Sequence, residues 1–145
     1  MLIGIDPILS PELVKILMEM GHGDEIVFAD ANFPSASTAQ RLIRFDGHSI
    51  PSLLKAVLPL FPLDQYVPQP AALMAVEKKD AAEPAIWEEY KILLRDLSGY
   101  TGGFELIERM AFYERTKKTY AVVATGESAL YANIILKKGV IKPDA

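Results

Sequence analysis

Short apolar runs alternate with apolar stripes of helical spacing along most of the chain, and this alternation limits the fold more than any other feature. Glu25-Ile26-Val27-Phe28-Ala29, Ala71 to Val76 and Tyr120-Ala121-Val122-Val123-Ala124 are apolar at both odd and even positions. Strands of that kind have no solvent side and need cover above and below. Between them, Leu13, Ile16, Leu17 and Met20 recur at i, i+3, i+4 and i+7. Leu53, Leu54, Val57 and Leu58 form a second stripe, and Ile86, Tyr90, Leu93 and Leu97 a third. Each is one face of an amphipathic helix. The pattern predicts an α/β fold with three layers, α/β/α, around a mainly parallel (mixed) central sheet.

Local signals place the ends of these elements. Ser10-Pro11-Glu12 supplies a cap, a first-turn proline and an acidic residue at the positive end of the helix dipole, and Gly21 closes that helix. Leu42 to Phe45 reads as a strand ended by Asp46-Gly47. Pro84 opens the third helix and Gly99, Gly102 and Gly103 break it. Glu105-Leu106-Ile107 reads as a strand, Phe112 to Lys118 as a short helix, and Asn133 to Leu136 as the last strand. The 145 residues show no repeat and no break in composition, so one domain over 1–145 is expected. A chain of this length buries about 68–70% of its unfolded surface, enough for a core without staples.

Composition narrows the chemistry. Cysteine is absent, which removes disulfides, thiolate nucleophiles and Cys-ligated metals. The net charge is −4, and the only basic clusters, Arg115 with Lys117-Lys118 and Lys137-Lys138, read as solvated faces rather than phosphate tracks. No partner nucleic acid is expected. No run approaches the ~18–20 apolar residues that span a bilayer. Met1 to Pro7 lacks a basic n-region. The expected location is the cytoplasm, away from any membrane. Phosphate loops, dinucleotide glycine patterns, nucleophile elbows and zinc-helix motifs are all missing. With two histidines and no cysteine, neither metal nor cofactor is expected. Proton-transfer chemistry on a neutral, hydroxyl-rich molecule remains.

Few residues can carry it. His48 lies in the Asp46-Gly47 turn and reads as an exposed turn residue. His22 stands between Gly21 and Gly23, which let a ligand approach closely, or else simply make a solvent-facing link. Asp24 and Glu25 follow it and are candidates to set its tautomer. Asp30 ends a buried strand, where open α/β sheets place ligands, though an Asx-turn needs an aspartate there equally well. Arg109 and Tyr113 are i and i+4 on a helix, so they share a face, with Lys117 one turn on. That face can hold hydroxyls, or it is a stacked surface pair. Tyr131-Ala132-Asn133 is either a polar ligand wall or the turn into a strand.

Five stretches in order, Gly21-His22-Gly23-Asp24-Glu25, Ala29-Asp30-Ala31-Asn32-Phe33-Pro34, Phe112-Tyr113-Glu114-Arg115, Thr125-Gly126-Glu127 and Tyr131 to Gly139, resemble the fucose mutarotase/ribose pyranase family, and are most similar to its fucose branch. The resemblance implies an isomerase that interconverts the α and β anomers of a reducing monosaccharide, L-fucose before others, with no cofactor. It implies His22 as proton donor and Asp30, Arg109, Tyr113, Tyr131, Asn133 and Asp64 as sugar contacts. It also implies a ring-shaped homo-oligomer, commonly a decamer, in which the C-terminal motif reaches a neighbour's site. Residues 78–103 carry no motif of the family.

A ribose pyranase and a non-catalytic monosaccharide-binding subunit would use the same hydroxyl-holding residues. Imidazole suits the reaction because it ordinarily titrates near ~6.5 and can pass a proton to the ring oxygen and take it back. His22 and Asp30 nevertheless flank one short strand, and eight extended residues span up to ~27 Å. Either the His22 loop folds back, or the two serve sites on different subunits.

Overall fold

The apolar runs become strands and the stripes become helices. The computed structural model describes residues 1–80 and 82–144. In chain order the elements are α1 (Pro11–Glu19), β1 (Glu25–Ala29), α2 (Ser35–Thr38), β2 (Leu42–Phe45), α3 (Ile50–Val57), β3 (Ala71–Met74), α4 (Ile86–Ser98), β4 (Glu105–Ile107), α5 (Arg109–Lys118), β5 (Ala121–Thr125) and β6 (Ile134–Lys137).

The strands form one sheet in the order β2-β5-β1-β6-β3-β4. Parallel pairs are β2 with β5, β5 with β1, and β3 with β4. β6 is antiparallel to both its neighbours, β1 and β3. Five strands therefore run one way and β6 runs against them.

Alternate side chains divide between two cores. Ile26, Phe28, Leu73, Val123 and Ile134 face α1, α3 and α4, and Val27, Ala72, Val122 and Ile135 face Phe33 and Phe112 on the side of α5. This gives the expected three layers. No described helix is long and apolar enough to cross a membrane.

Two helix ends and one basic residue differ from expectation, each for a visible reason. Gly21 does not close α1, which stops at Glu19 with Met20 extended (ψ 134°). The ammonium of Lys138 donates to the carbonyls of Leu17 and Met20 at 2.7 and 2.6 Å and serves the helix C-terminus instead. α5 begins at Arg109 rather than Phe112, because Glu108 accepts from the N–H groups of Met110 and Ala111 at 3.0 and 3.1 Å. Arg115 is not a solvated face. It bonds Glu25 of β1 through Nε and Nη2, and Glu105 of β4 through Nη1 at 2.9 Å.

The reversed β6 decides where polar residues gather. The carboxyl ends of the five parallel strands and the start of β6 share one edge of the sheet. The start of β1 and the end of β6 share the other. These two edges hold all the candidate residues.

Candidate active site

At the carboxyl edge Asp30 leaves β1 with its side chain buried. Its N–H donates to Asn133 Oδ1 at 2.7 Å, which ties the start of β6 to the end of β1. Its Oδ1 accepts from the Asn32 N–H at 3.0 Å, which is the Asx-turn, and the same side chain stands at the carboxyl end of its strand. Burial pushes the Asp30 carboxyl above the ordinary aspartate value; the amides of Asn32, Phe33 and Ala132 oppose this and Glu127 adds to it.

Tyr131 precedes Asn133 with φ at 57°, the left-handed region that a bulky residue rarely enters. The indole of Trp87 donates to its carbonyl at 2.8 Å, and the Tyr90 hydroxyl donates to the Ala132 carbonyl at 2.6 Å. Both donors come from α4, within the stretch that carried no recognisable motif. The Tyr131 hydroxyl accepts from the Glu77 N–H at 3.2 Å and donates to Asp80 Oδ2 at 2.6 Å. That bond to Asp80 raises the phenol above its ordinary value.

Arg109 opens α5 and meets Glu77 at 3.1 Å. Its guanidinium carbon lies 5.9 Å from the Tyr113 ring centroid, as the i, i+4 spacing predicts. Tyr113 in turn packs edge-on against Phe33 at 5.5 Å. Lys117 leaves that face to pair with Glu114 at 2.9 Å. Asp30, Asn133, Tyr131, Arg109 and Tyr113 thus lie on one edge, joined through Glu77 and Phe33. A cavity of about 490 Å³ at this edge is lined by Asp30, Phe33, Ser35, Arg44 and Thr125, but opens toward β2 and leaves the other four residues outside its wall. Its size is therefore a poor guide to the chemistry.

His22 and Asp64 occupy the opposite edge. His22 Nε2 lies 3.0 Å from Asp64 Oδ1, with the histidine side chain 44% exposed and the aspartate 3%. The Tyr66 ring sits 5.2 Å from the imidazole. Neither sequence neighbour sets the histidine's tautomer. Asp24 turns back to accept from the Gly21 N–H at 2.8 Å, and Glu25 is taken by Arg115. Asp64, 42 residues away, holds that position. His48 is exposed in its turn, packed on Phe45 at 5.8 Å.

Sequence reading missed Glu77, Asp80, Trp87 and Tyr90, whose partners are distant in the chain. It gave Glu127, within the Thr125-Gly126-Glu127 stretch of the resemblance, no role of its own. The Glu127 carbonyl accepts from the Ala31 N–H at 2.8 Å, and its carboxylate accepts from Ile50 and Ala129 at 3.2 Å each. It therefore anchors the loop that carries Asp30 to the start of α3. Among the described residues no three His, Asp or Glu side chains converge as metal ligands do.

The model of the RbsD / FucU transport protein family matches residues 3–141. An L-fucose mutarotase of Actinobacillus pleuropneumoniae is 49% identical over 140 residues, covering 97% of each chain. The human fucose mutarotase is 52% identical over 144 residues, covering 95% of this chain and 93% of its own. The crystal structure of the Streptococcus pneumoniae fucose mutarotase in complex with L-fucose superposes with a TM-score of 0.93 at 52% identity, covering 97% of this chain and all of that one.

Proposed function

The chain belongs to the RbsD / FucU transport protein family, and from that footing we propose that it is an L-fucose mutarotase, an isomerase acting at the anomeric carbon of a reducing monosaccharide. The observation that carries this reading is the likeness, along nearly the whole chain, to fucose mutarotases at about 50% identity. One domain of residues 1–145 is the working unit, and the cytoplasm is its place of work.

The reaction opens and recloses a hemiacetal. His22 as acid passes a proton to the ring oxygen while the C1–O5 bond breaks and its electron pair stays on O5. The anomeric hydroxyl loses its proton to water, and its O–H pair becomes the carbonyl bond. The aldehyde turns about C1–C2. On closure O5 attacks the other face of C1, returns its proton to His22, and the carbonyl oxygen regains one from water. A positioned acid contributes about 10²–10⁴-fold to such a transfer. Asp30, Arg109, Tyr113, Tyr131 and Asn133 hold the sugar hydroxyls, and charge-assisted bonds to Asp30 and Arg109 are the strongest available.

The separation of His22 from Asp30 across the sheet supports a site shared between two copies. β1 separates His22 from Asp30 by five strand residues, about 17 Å at ~3.3 Å per residue, more than one sugar ring spans. His22 of one copy serves the Asp30 edge of the next, and repetition of that head-to-tail contact closes a ring, a decamer in the complete assembly.

Saturation-transfer NMR on the α and β anomers tests the reading. Exchange of L-fucose faster than the buffer rate is expected, with ribose slower, and a folded His22→Ala variant reduced to the buffer rate. A preference for ribose would make the protein a pyranase. Saturable fucose binding without faster exchange would make it a binding subunit.

A further inference from the structure

Three features beyond the proposed sugar contacts compete for a role. The cavity beside β2 shares only Asp30 with the site. The exposed apolar surface of Met1, Leu2, Ile3 and Met18 offers no sign of what covers it. The two donors that α4 sends to the 131–132 turn go further, because they bear on how two of the sugar contacts are aimed.

We propose that Trp87 and Tyr90 are positioning residues, whose two hydrogen bonds keep the 131–132 turn in its left-handed form and so aim the Tyr131 phenol and the Asn133 amide at the sugar. This rests on the mutarotase reading and gives a task to a stretch in which the family resemblance marks nothing.

Neither donor is placed to touch a sugar. Tyr90 is fully buried and Trp87 nearly so. Both lie in the core with α1 and α3 on one face of the sheet, whereas α5, which carries Arg109 and Tyr113, covers the other. Burial pushes the Tyr90 phenol well above its ordinary value, and the Glu127 and Asp30 charges add to this, so the hydroxyl keeps its hydrogen and donates.

The turn needs holding. Tyr131 has φ at 57°, where a bulky side chain crowds its own backbone. Released, such a residue returns to negative φ, which would swing its ring and redirect the chain after it. The peptide unit between 131 and 132 is planar, so its two ends turn together. Its carbonyl accepts from Trp87 Nε1 at 2.8 Å. Its N–H, that of Ala132, is one of the amides that hold down the Asp30 carboxyl. Fixing the carbonyl therefore fixes where that N–H points. The next peptide unit is held by the Tyr90 hydroxyl on Ala132 O at 2.6 Å. Asn133 follows directly, buried, with its Oδ1 on the Asp30 N–H at 2.7 Å. Two successive peptide units are thus clamped from α4, with one sugar contact before them and another after.

The test uses the full chain. Trp87 is the only tryptophan, so one indole N–H resonance reports on the turn. Protection of that proton from solvent exchange is expected. An indole N–H that exchanges as freely as in an exposed tryptophan would overturn the proposal, even if no variant folds. Tyr90→Phe and Trp87→Phe each keep an aromatic ring and remove one donor. Each should raise KM for fucose exchange about 3–10-fold and leave kcat within about twofold, the split expected when groups that only hold the sugar are misaimed. Leu94→Ala opens the buried face of the same helix one turn further on and should lower Tm at unchanged KM. An equal rise in KM in Leu94→Ala would make the packing of α4 the cause and sink the positioning role. Unchanged KM in both folded donor variants would sink it too, leaving Trp87 and Tyr90 as core residues. If wild-type protein shows no fucose exchange, the mutarotase reading fails while the indole signal still reports whether the turn is pinned.

Discussion

His22 precedes β1 and Asp30 follows it, so one strand holds the two groups at opposite edges of the same sheet. Neither can move toward the other without breaking β1 from β5 and β6, its partners on either side. A site that uses both must draw on two copies of the chain. The consequence is complementation. His22→Ala and Asp30→Asn should each lack fucose exchange alone. Unfolded together and refolded as a mixture, they should regain up to about one quarter of wild-type activity, the share of head-to-tail contacts that pair two intact groups in a random ring. No recovery from a mixture shown to co-assemble would place both groups in one subunit's site.

Gly126 is closed against substitution by its surroundings. A Cβ there would stand 2.0 Å from the Asp46 carbonyl oxygen, a backbone atom with nowhere to go. Gly126→Ala should cost about 1–3 kcal/mol or more, as overpacking does, and lower Tm in a thermal melt. Gly47→Ala, next to that same carbonyl, meets nothing within 4 Å and should stay within about 0.5 kcal/mol of wild type. Equal losses in the two variants would refute this account of the turn.

The layers and most strand limits were legible because they depend on periodicity, which is local. β1, β2 and β4 lie where the apolar pattern put them. The Arg109–Tyr113 stack was legible for the same reason, since helical spacing sets it. What stayed hidden depends on pairs distant in the chain. The partner of His22 is 42 residues away and that of Tyr131 is 51, whereas the nearer Asp24 looked the better candidate until its carboxylate was seen turned to Gly21. Tyr90 reads as a helix-face apolar residue, and so it is, yet it and Trp87 on the same helix each extend a polar tip to the backbone of the 131–132 turn. The reversal of β6 was the least legible feature. Its apolar run suits either direction, and only the pairing shows that it opposes both neighbours.

Asp30 should show a conflict between stability and function. Its folded-state pKa lies above the ordinary value of 3.8. The folded form thus binds the proton more tightly than the unfolded form does. Below the ordinary value both states are protonated and the group costs nothing. As pH rises through the interval up to the raised value, the unfolded state ionises first and stability falls; above it the loss is constant. Asp30→Asn keeps an oxygen for the Asn32 amide and removes the ionisation. It should therefore melt higher than wild type at neutral pH, with the gap closing as pH drops below 3.8, and should bind fucose more weakly. Parallel melting curves at all pH values would show that burial of this carboxyl carries no cost.

Arg115 is the remaining lever, and it acts on the frame rather than the site. It spans from α5 to Glu25 at the start of β1 and Glu105 in β4, with its own side chain 23% exposed and that of Glu25 15%. A fully exposed pair contributes about 0–1 kcal/mol, whereas stripping the partner from a buried charge costs about 3–5 kcal/mol. This network lies between, and Arg115→Met should cost about 1–3 kcal/mol, chiefly because Glu25 is left without its bidentate partner. Arg115→Lys should recover little, since an ammonium cannot bridge two carboxylates with the same fork. The double variant Arg115→Met, Glu25→Gln should be more stable than Arg115→Met alone, because the stranded charge has gone. Denaturant melts of the three variants check the order. A double variant less stable than Arg115→Met would mean that packing of the arginine stem, and not the unpaired glutamate, sets the loss.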